Sequence, residues 1–212
     1  MYVPPHFAET DLGRLHDLMR RFDFALLVAG GADGAPEAAH IPFMLDSSQG
    51  PRGTLLAHMA RANPLWRRFG SDREVLVVFQ GPHGYVSPRW YTEPAAAVPT
   101  WNYAAVHAYG IPCIVEDPAE ASAMLERLVD AQEAGRPRPW RMADARPGLI
   151  DAMARGIVAF EIPVDRLEGK LKISQNKAAE DRAGVVAALT AAGDDASLAL
   201  AALMEELDAP AD

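Results

Sequence analysis

Four histidines, a cluster of arginines and the chain's three lysines are the residues through which this sequence could do chemistry. His40 ends an apolar run before Ile41-Pro42, and His58 ends another before Met59-Ala60-Arg61. His83 follows a run that closes at Gln80, and His107 lies inside VPTWNYAAVHAYG. One imidazole per run, at similar positions, could line one rim of a shared pocket; any single one equally serves as a hydrogen-bonded core or turn residue. In HMARANPLW, Arg61 supplies a forked cation, and Asn63-Pro64 opens a helix whose free N–H groups point back toward His58. Guanidinium and helix N-terminus together suit an anionic group. A solvated, arginine-rich helix face is the competing reading, because five arginines lie between His58 and Arg89 against Asp72 and Glu74.

Two further segments join these. FQGPHGYVSPRWY and PTWNYAAVHAYG hold two of the four tryptophans with Phe79, Tyr85, Tyr91, Tyr103 and Tyr109. Rings set among Gln80, Ser87 and Asn102 suit a planar heteroaromatic ligand that stacks and hydrogen-bonds, or else ordinary barrel packing. All three lysines, Lys170, Lys172 and Lys177, fall in one eight-residue window, and every other basic residue is arginine. Lys170 and Lys172 share a face if the segment is extended. With Ser174, Gln175 and Asn176 following, they suit a phosphate or a ring-nitrogen anion; solvated amines on a surface loop remain open. No GxGxxG, phosphate loop, HExxH or GxSxG is present, and no Cys/His pair has metal-ligand spacing. No residue stands out as a catalytic acid or base.

The elements that must position these residues are legible in outline. Residues 11–22 place Leu12, Leu15, Leu18, Met19 and Phe22 at helical spacing. FALLVAG reads as a buried strand, GGADGAP as its turn and PEAAHIPFML as its hairpin partner. GTLLAHM is a third strand, ARANPLWRRF a helix capped by Asn63, and EVLVVFQ a strand that stops at GPHG. VPTWNYAAVHAYG and IPCIVED read as strands. Asp117-Pro118-Ala119-Glu120 opens a helix that Gly135 ends. After the loop GRPRPW come a short helix in PGLIDAMAR, strands in GIVAFEIPV and GKLKISQ, and helices in DRAGVVAALTAA and SLALAALMEEL. Strands that do not alternate with helices as βαβ units predict an α+β fold, a mixed barrel with peripheral helices.

The net charge of −9 over 212 residues is unevenly placed. Residues 193–212 hold six acids and no lysine or arginine, so the body carries only −3. The composition changes near Gly193, which predicts a domain over 1–192 and an acidic, Ala-rich helical tail over 193–212. A single cysteine, Cys113, excludes an internal disulfide framework and an all-cysteine zinc site. No apolar run approaches the ~18 residues of a membrane span, and MYVPPHFAET lacks the layout of a secretory signal. A cytoplasmic protein without a membrane partner is expected.

MYVPPHF, AAHIPFML, LLAHMARANPLW, VLVVFQGPHGYVSPRWY, VPTWNYAAVHAYG, GIVAFEI and KLKISQNKAAEDRAGV, in this order, resemble the PaiB family of FMN-binding negative transcriptional regulators. The resemblance runs from Met1 to about Leu189. It departs from the family at Lys177, where arginine is usual and a bidentate fork is lost. It implies a split β-barrel of the FMN-binding type, a homodimer, and flavin held at the subunit interface. Residue by residue, it implies Arg61 and Asn63 on the phosphate, and Lys172, Gln175 and Asn176 on phosphate or ring edge. His40, His58, Gln80 and Tyr103 would line the pocket. The implied function is an FMN-binding regulator, with a flavin-dependent oxidoreductase as one alternative. The family also resembles haem-dependent piperazate synthases, which share the HMxRANP-type element. That gives a second alternative, a haem-binding enzyme with His58 as axial ligand. A third reading is an interaction protein with an empty barrel. Direct DNA binding is not expected, because SLALAALMEEL has no base-reading side chain and carries Glu205 and Glu206.

Overall fold

The computed structural model describes residues 1–31 and 34–208. Along the chain run β1 (Ala8–Glu9), α1 (Leu12–Arg21), β2 (Phe24–Ala29), β3 (Glu37–Pro42), β4 (Met44–Asp46) and β5 (Thr54–Ala60). Then come β6 (Val75–Val86), β7 (Thr100–Gly110), β8 (Cys113–Ile114), α2 (Pro118–Glu133) and α3 (Leu149–Ala154). The chain closes with β9 (Ile157–Pro163), β10 (Arg166–Lys172), α4 (Ala179–Ala192) and α5 (Asp195–Asp208). Hydrogen bonds order the strands β1-β10-β7-β6-β2-β3 in one sheet and β4-β5-β9-β8 in the other. This is the mixed, barrel-forming α+β architecture that the strand pattern predicts.

Two compact units result. Unit 1 comprises Met1–Leu18, Gln80–Val106 and Glu168–Asp212; unit 2 comprises Met19–Phe79 and His107–Leu167. In unit 2, β2 alternates buried Ala25, Leu27 and Ala29 with less buried Phe24, Leu26 and Val28. β5 is buried on both faces from Thr54 to Ala57, as its unbroken apolar run requires. It pairs along its whole length with β9, His58 opposite Ala159. α2 starts as the capping signal demands: the Asp117 carboxylate accepts from the Ala119 N–H at 2.9 Å, with Pro118 in the first turn. Gly135, at φ 81°, ends it.

In unit 1 the core gathers Val86, Tyr91, Ile173, Val185 and Leu189 with Leu200, Ala201 and Met204 of α5. The acidic segment therefore buries one apolar stripe while Glu205 and Glu206 stay exposed. Gly193, at φ 72°, turns the chain between α4 and α5, and Asp194 caps α5 through the Ser197 N–H at 3.0 Å.

Several expectations need correction. β6 does not stop at GPHG; it runs on to Val86. Consecutive buried residues, Gly81 and Pro82, break its alternation and turn His83 and Tyr85 outward. The helix expected after Asn63 is a five-residue 3-10 helix, Pro64–Arg68. β1, two residues long, carries no readable period, and PEAAHIPFML holds two strands, β3 and β4, that belong to different sheets. The GGADG turn falls partly on residues 32–33, outside the described residues.

Candidate functional site

The chemistry-bearing residues fall into separate groups, each within one unit. In unit 1, β10 presents Lys170 and Lys172. The Lys170 ammonium donates to the Tyr2 carbonyl at 3.0 Å and lies 5.2 Å from the centre of the Tyr103 ring. The Lys172 ammonium donates to the Thr100 hydroxyl and, at 2.5 Å, to the Trp101 carbonyl. Among the described residues neither lysine has a carboxylate partner. Glu168, two residues back along the strand, is bonded to the N-terminal ammonium instead. Burial, and then repulsion from Lys170, holds the Lys172 amine below its usual range. Two crowded, partly desolvated cations whose partners among the described residues are neutral groups have the charge to attract an anion.

Aromatic rings accompany them. Trp101 is 54% exposed and Tyr85 46%; their centroids lie 6.1 Å apart in an edge-to-face arrangement. His83 adds a ring 6.4 Å from Trp101, and its Nδ1 accepts from the Gln80 amide N–H at 3.3 Å. Exposed rings beside cations suit a flat anionic ligand.

The turn after β10 is rigid. Ser174 adopts φ 67°, a left-handed conformation rare for serine. It is held there by Asn102, whose amide donates to the Ser174 hydroxyl at 2.9 Å; both residues are almost fully buried, at 4% and 1% exposure. The Gln175 amide is engaged at both ends, accepting from the Ile173 N–H at 2.9 Å and donating to the Leu171 carbonyl. That side chain closes the turn and has little left for a ligand, while Asn176 is exposed. The Asn102–Ser174 pair escaped the sequence reading. Its signal was present, because Asn102 falls in phase with the inward Ala104, Val106 and Ala108 of β7.

In unit 2 the arrangement differs from the expected one. The Arg61 guanidinium ties two strand ends, donating to the carbonyls of Arg155 at 3.1 Å and Ile157 at 2.7 Å. The Asn63 side chain accepts from the Leu65 N–H at 3.0 Å. The donor expected to face an anion is thus already capped, and a single 3-10 turn has almost no dipole to add.

The histidines of unit 2 lie in different surroundings. His40 is exposed on the edge strand β3 and stacks on Phe24 at 6.2 Å. His107 lies on β7, 6.3 Å from the Tyr109 ring. His58 alone among them lines a cavity of about 600 Å³, beside Phe43, Met44, Leu128 and Trp140. Its Nδ1 is buried without a hydrogen-bond partner, and burial pushes its pKa below the ordinary value. The unfolded chain therefore takes up a proton near pH ~6.5 before the folded chain does. Stability should fall as pH drops through that range, then level off once the folded imidazole is protonated. Urea unfolding between pH 7.5 and 5 checks this; a His58→Phe protein should lose that part of the slope.

As an axial haem ligand His58 lacks what such ligands almost always have, an acceptor for the N–H of the other ring nitrogen. No cluster of three or more His, Cys, Asp or Glu suited to a metal occurs among the described residues, and no described helix is long and apolar enough to cross a membrane.

A family model described as "Putative FMN-binding domain" matches residues 1–166. The protease synthase and sporulation protein PAI 2 of Bacillus subtilis is 32% identical over 206 residues, 97% of each chain. Among solved structures, an FAD and heme binding protein of Mycobacterium smegmatis superposes with a TM-score of 0.61 at 22% identity, covering 83% of this chain and 78% of that one. A flavocytochrome of Azotobacter vinelandii gives 0.60 at 16% identity, covering 86% and 78%. At those identities the structures speak for the fold alone, whereas the family model and the bacillary relative each span most of the chain. The chain belongs to the FMN-binding split-barrel family, and within it to the PaiB type.

Proposed function

We propose that the chain binds FMN on the aromatic, lysine-bearing face of unit 1 and works as a cytoplasmic, homodimeric flavoprotein. The observation that carries this is the Lys170–Lys172 pair, two cations without a carboxylate beside the exposed Trp101 and Tyr85 rings. Lys172 would hold the phosphate or the N1–C2 carbonyl edge of the ring, and Tyr103 and Trp101 would flank it. The Asn102–Ser174 pair fixes the turn so that Lys172 keeps its place. Bound there, FMN supplies redox chemistry that no side chain of this protein can.

Titration with FMN, followed through loss of flavin fluorescence, tests the reading. Saturation near one FMN per chain is expected, and no saturable quenching would remove it. Riboflavin, which lacks only the phosphate, separates the two roles of Lys172. Binding at least about tenfold weaker than FMN assigns the lysine to the phosphate, and equal binding assigns it to the ring.

The homodimer rests on unit 2. Phe24 is 64% exposed and shares one sheet face with half-buried Leu26 and Val28; across the ladder stand His40 and Ala38 of edge strand β3, and Val78 and Leu76 of β6. An exposed, largely apolar sheet face is what a second copy covers. Phe24→Glu is expected to convert the dimer to monomer in sedimentation without loss of secondary structure; an unchanged mass would rule out this face.

Regulation of transcription, the role the family name implies, would then pass through a partner or the flavin. The exposed side of α5 carries Glu205 and Glu206, which phosphates repel. A gel shift against the gene's own upstream DNA should show no retardation even at low salt.

A further inference from the structure

The cavity beside His58 has a polarity that the flavin reading leaves unused. Its walls come from unit 2 alone: Phe43 and Met44 near β4, Leu125, Leu128 and Val129 of α2, and Trp140 beyond it. At about 600 Å³ it lies within the range of small-molecule sites. The polar groups at its rim are bonded among themselves. Gln132 donates to Asp23, Glu133 accepts from the Trp140 N–H at 2.9 Å, and Arg20 donates to Ser47 at 2.9 Å. Among the described residues, the buried polar atom of this lining without a partner is His58 Nδ1.

The two nitrogens of its ring are not equivalent. Nδ1 is out of reach of solvent and has no partner. His58 lines the cavity, and with Nδ1 shut off its Nε2 is the ring nitrogen left for a ligand. A proton on Nδ1 would strand a buried N–H donor, the costlier kind of orphan. A proton on Nε2 leaves only an unfilled acceptor behind and puts the N–H where a ligand can take it.

We infer that this cavity is a second ligand site, for a neutral aromatic carbonyl compound whose oxygen accepts from the His58 Nε2–H. Apolar walls favour a flat ring system. Burial favours the uncharged imidazole, and at the rim Asp23, Glu133 and Arg20 already hold Gln132, the Trp140 backbone N–H and Ser47. The inference rests on FMN binding at the unit 1 face, with which this cavity shares no lining residue.

Two measurements test it on the intact chain. Long-range nitrogen NMR of the histidine rings should show His58 with a pyridine-like Nδ1 and a pyrrole-like Nε2; a pyrrole-like Nδ1 would overturn the assignment. Calorimetric titration with 1-indanone and with indane, the same frame without the oxygen, should show saturable ketone binding at least about tenfold tighter than the hydrocarbon. Equal affinities, or no saturable ketone binding, would refute the site. In His58→Phe, which keeps the ring's volume, the preference should vanish. If that variant does not fold, the ketone-to-hydrocarbon ratio in the unaltered protein still decides. Hemin bound in a six-coordinate form that His58→Phe abolishes would also refute it, because that ligation requires the other tautomer. Flavin titration on the same sample reports separately, so failure of one reading is distinguishable from failure of the other.

Discussion

Exchanging Lys172 for methionine is expected to weaken FMN binding by roughly tenfold to a hundredfold, the value of one charge-assisted hydrogen bond to an anion. Methionine keeps most of the side chain's length and apolar stem, so the change isolates the ammonium. Two effects oppose each other. The variant relieves the burial of a charge and its repulsion from Lys170, but gives up the bonds to Thr100 and Trp101, so its stability should change little. It also removes one of the two cations that make the site attractive to an anion. The expected outcome is therefore a protein of similar stability with much poorer flavin affinity, a separation that a merely structural lysine would not produce. Changing Lys170 as well should lower affinity further, although its bond to the Tyr2 carbonyl means the double variant needs its unfolding curve measured beside it. Lys177, which lies 5.0 Å over the Tyr91 ring, serves as control. Lys177→Met should leave FMN affinity within about twofold of the original, as expected for a charge that does not touch the ligand.

The second large effect is on stability. Gly184 sits in α4 with its Cα facing the Trp90 carbonyl, and a Cβ built there would lie 2.2 Å from that oxygen. Intrinsic helix propensity favours alanine over glycine by about 1 kcal/mol. Contact with a backbone atom weighs the other way and more heavily. The Trp90 carbonyl cannot swing aside, because its turn is fastened by the bonds from Trp90 N–H to Ser87 and from Tyr91 N–H to Pro88, both 3.1 Å. Relief requires α4 to move, and with it Val185 and Leu189, which pack on Tyr91, Leu200 and Met204. Overpacking of this kind costs about 3 kcal/mol, so Gly184→Ala should lose roughly 2 kcal/mol net despite the better helix former. Urea unfolding measures it. A variant as stable as the parent would mean that α4 and the Trp90 turn are not in contact as described.

Most of the fold could be read from periodicity and punctuation. α2 followed from Asp117-Pro118 and Gly135, and β2 and β5 from their apolar runs, because one local signal decided each. What could not be read was set by partners distant in the chain. β6 continues past GPHG because a sheet neighbour accepts it, with Pro82 tolerated where the alternation breaks. Asn63 was rightly taken as a cap, yet the same residue cannot both cap Leu65 and offer that oxygen's place to an anion. The lysine window was visible from composition alone. What the lysines lack, a carboxylate, became visible only when β10 was set beside its neighbours. The histidines misled for the opposite reason: similar places in separate strands do not converge unless the register brings them together, and here His40 and His58 end in different surroundings.

The most direct test of the account is whether the protein keeps flavin. Purified protein incubated with excess FMN and then desalted should retain visible flavin bands close to one FMN per chain, and the Lys172→Met protein should lose most of them under the same wash. If the unaltered protein emerges colourless, with all the flavin in the low-molecular-weight fraction, the lysine-bearing face is not a flavin site and the central claim fails.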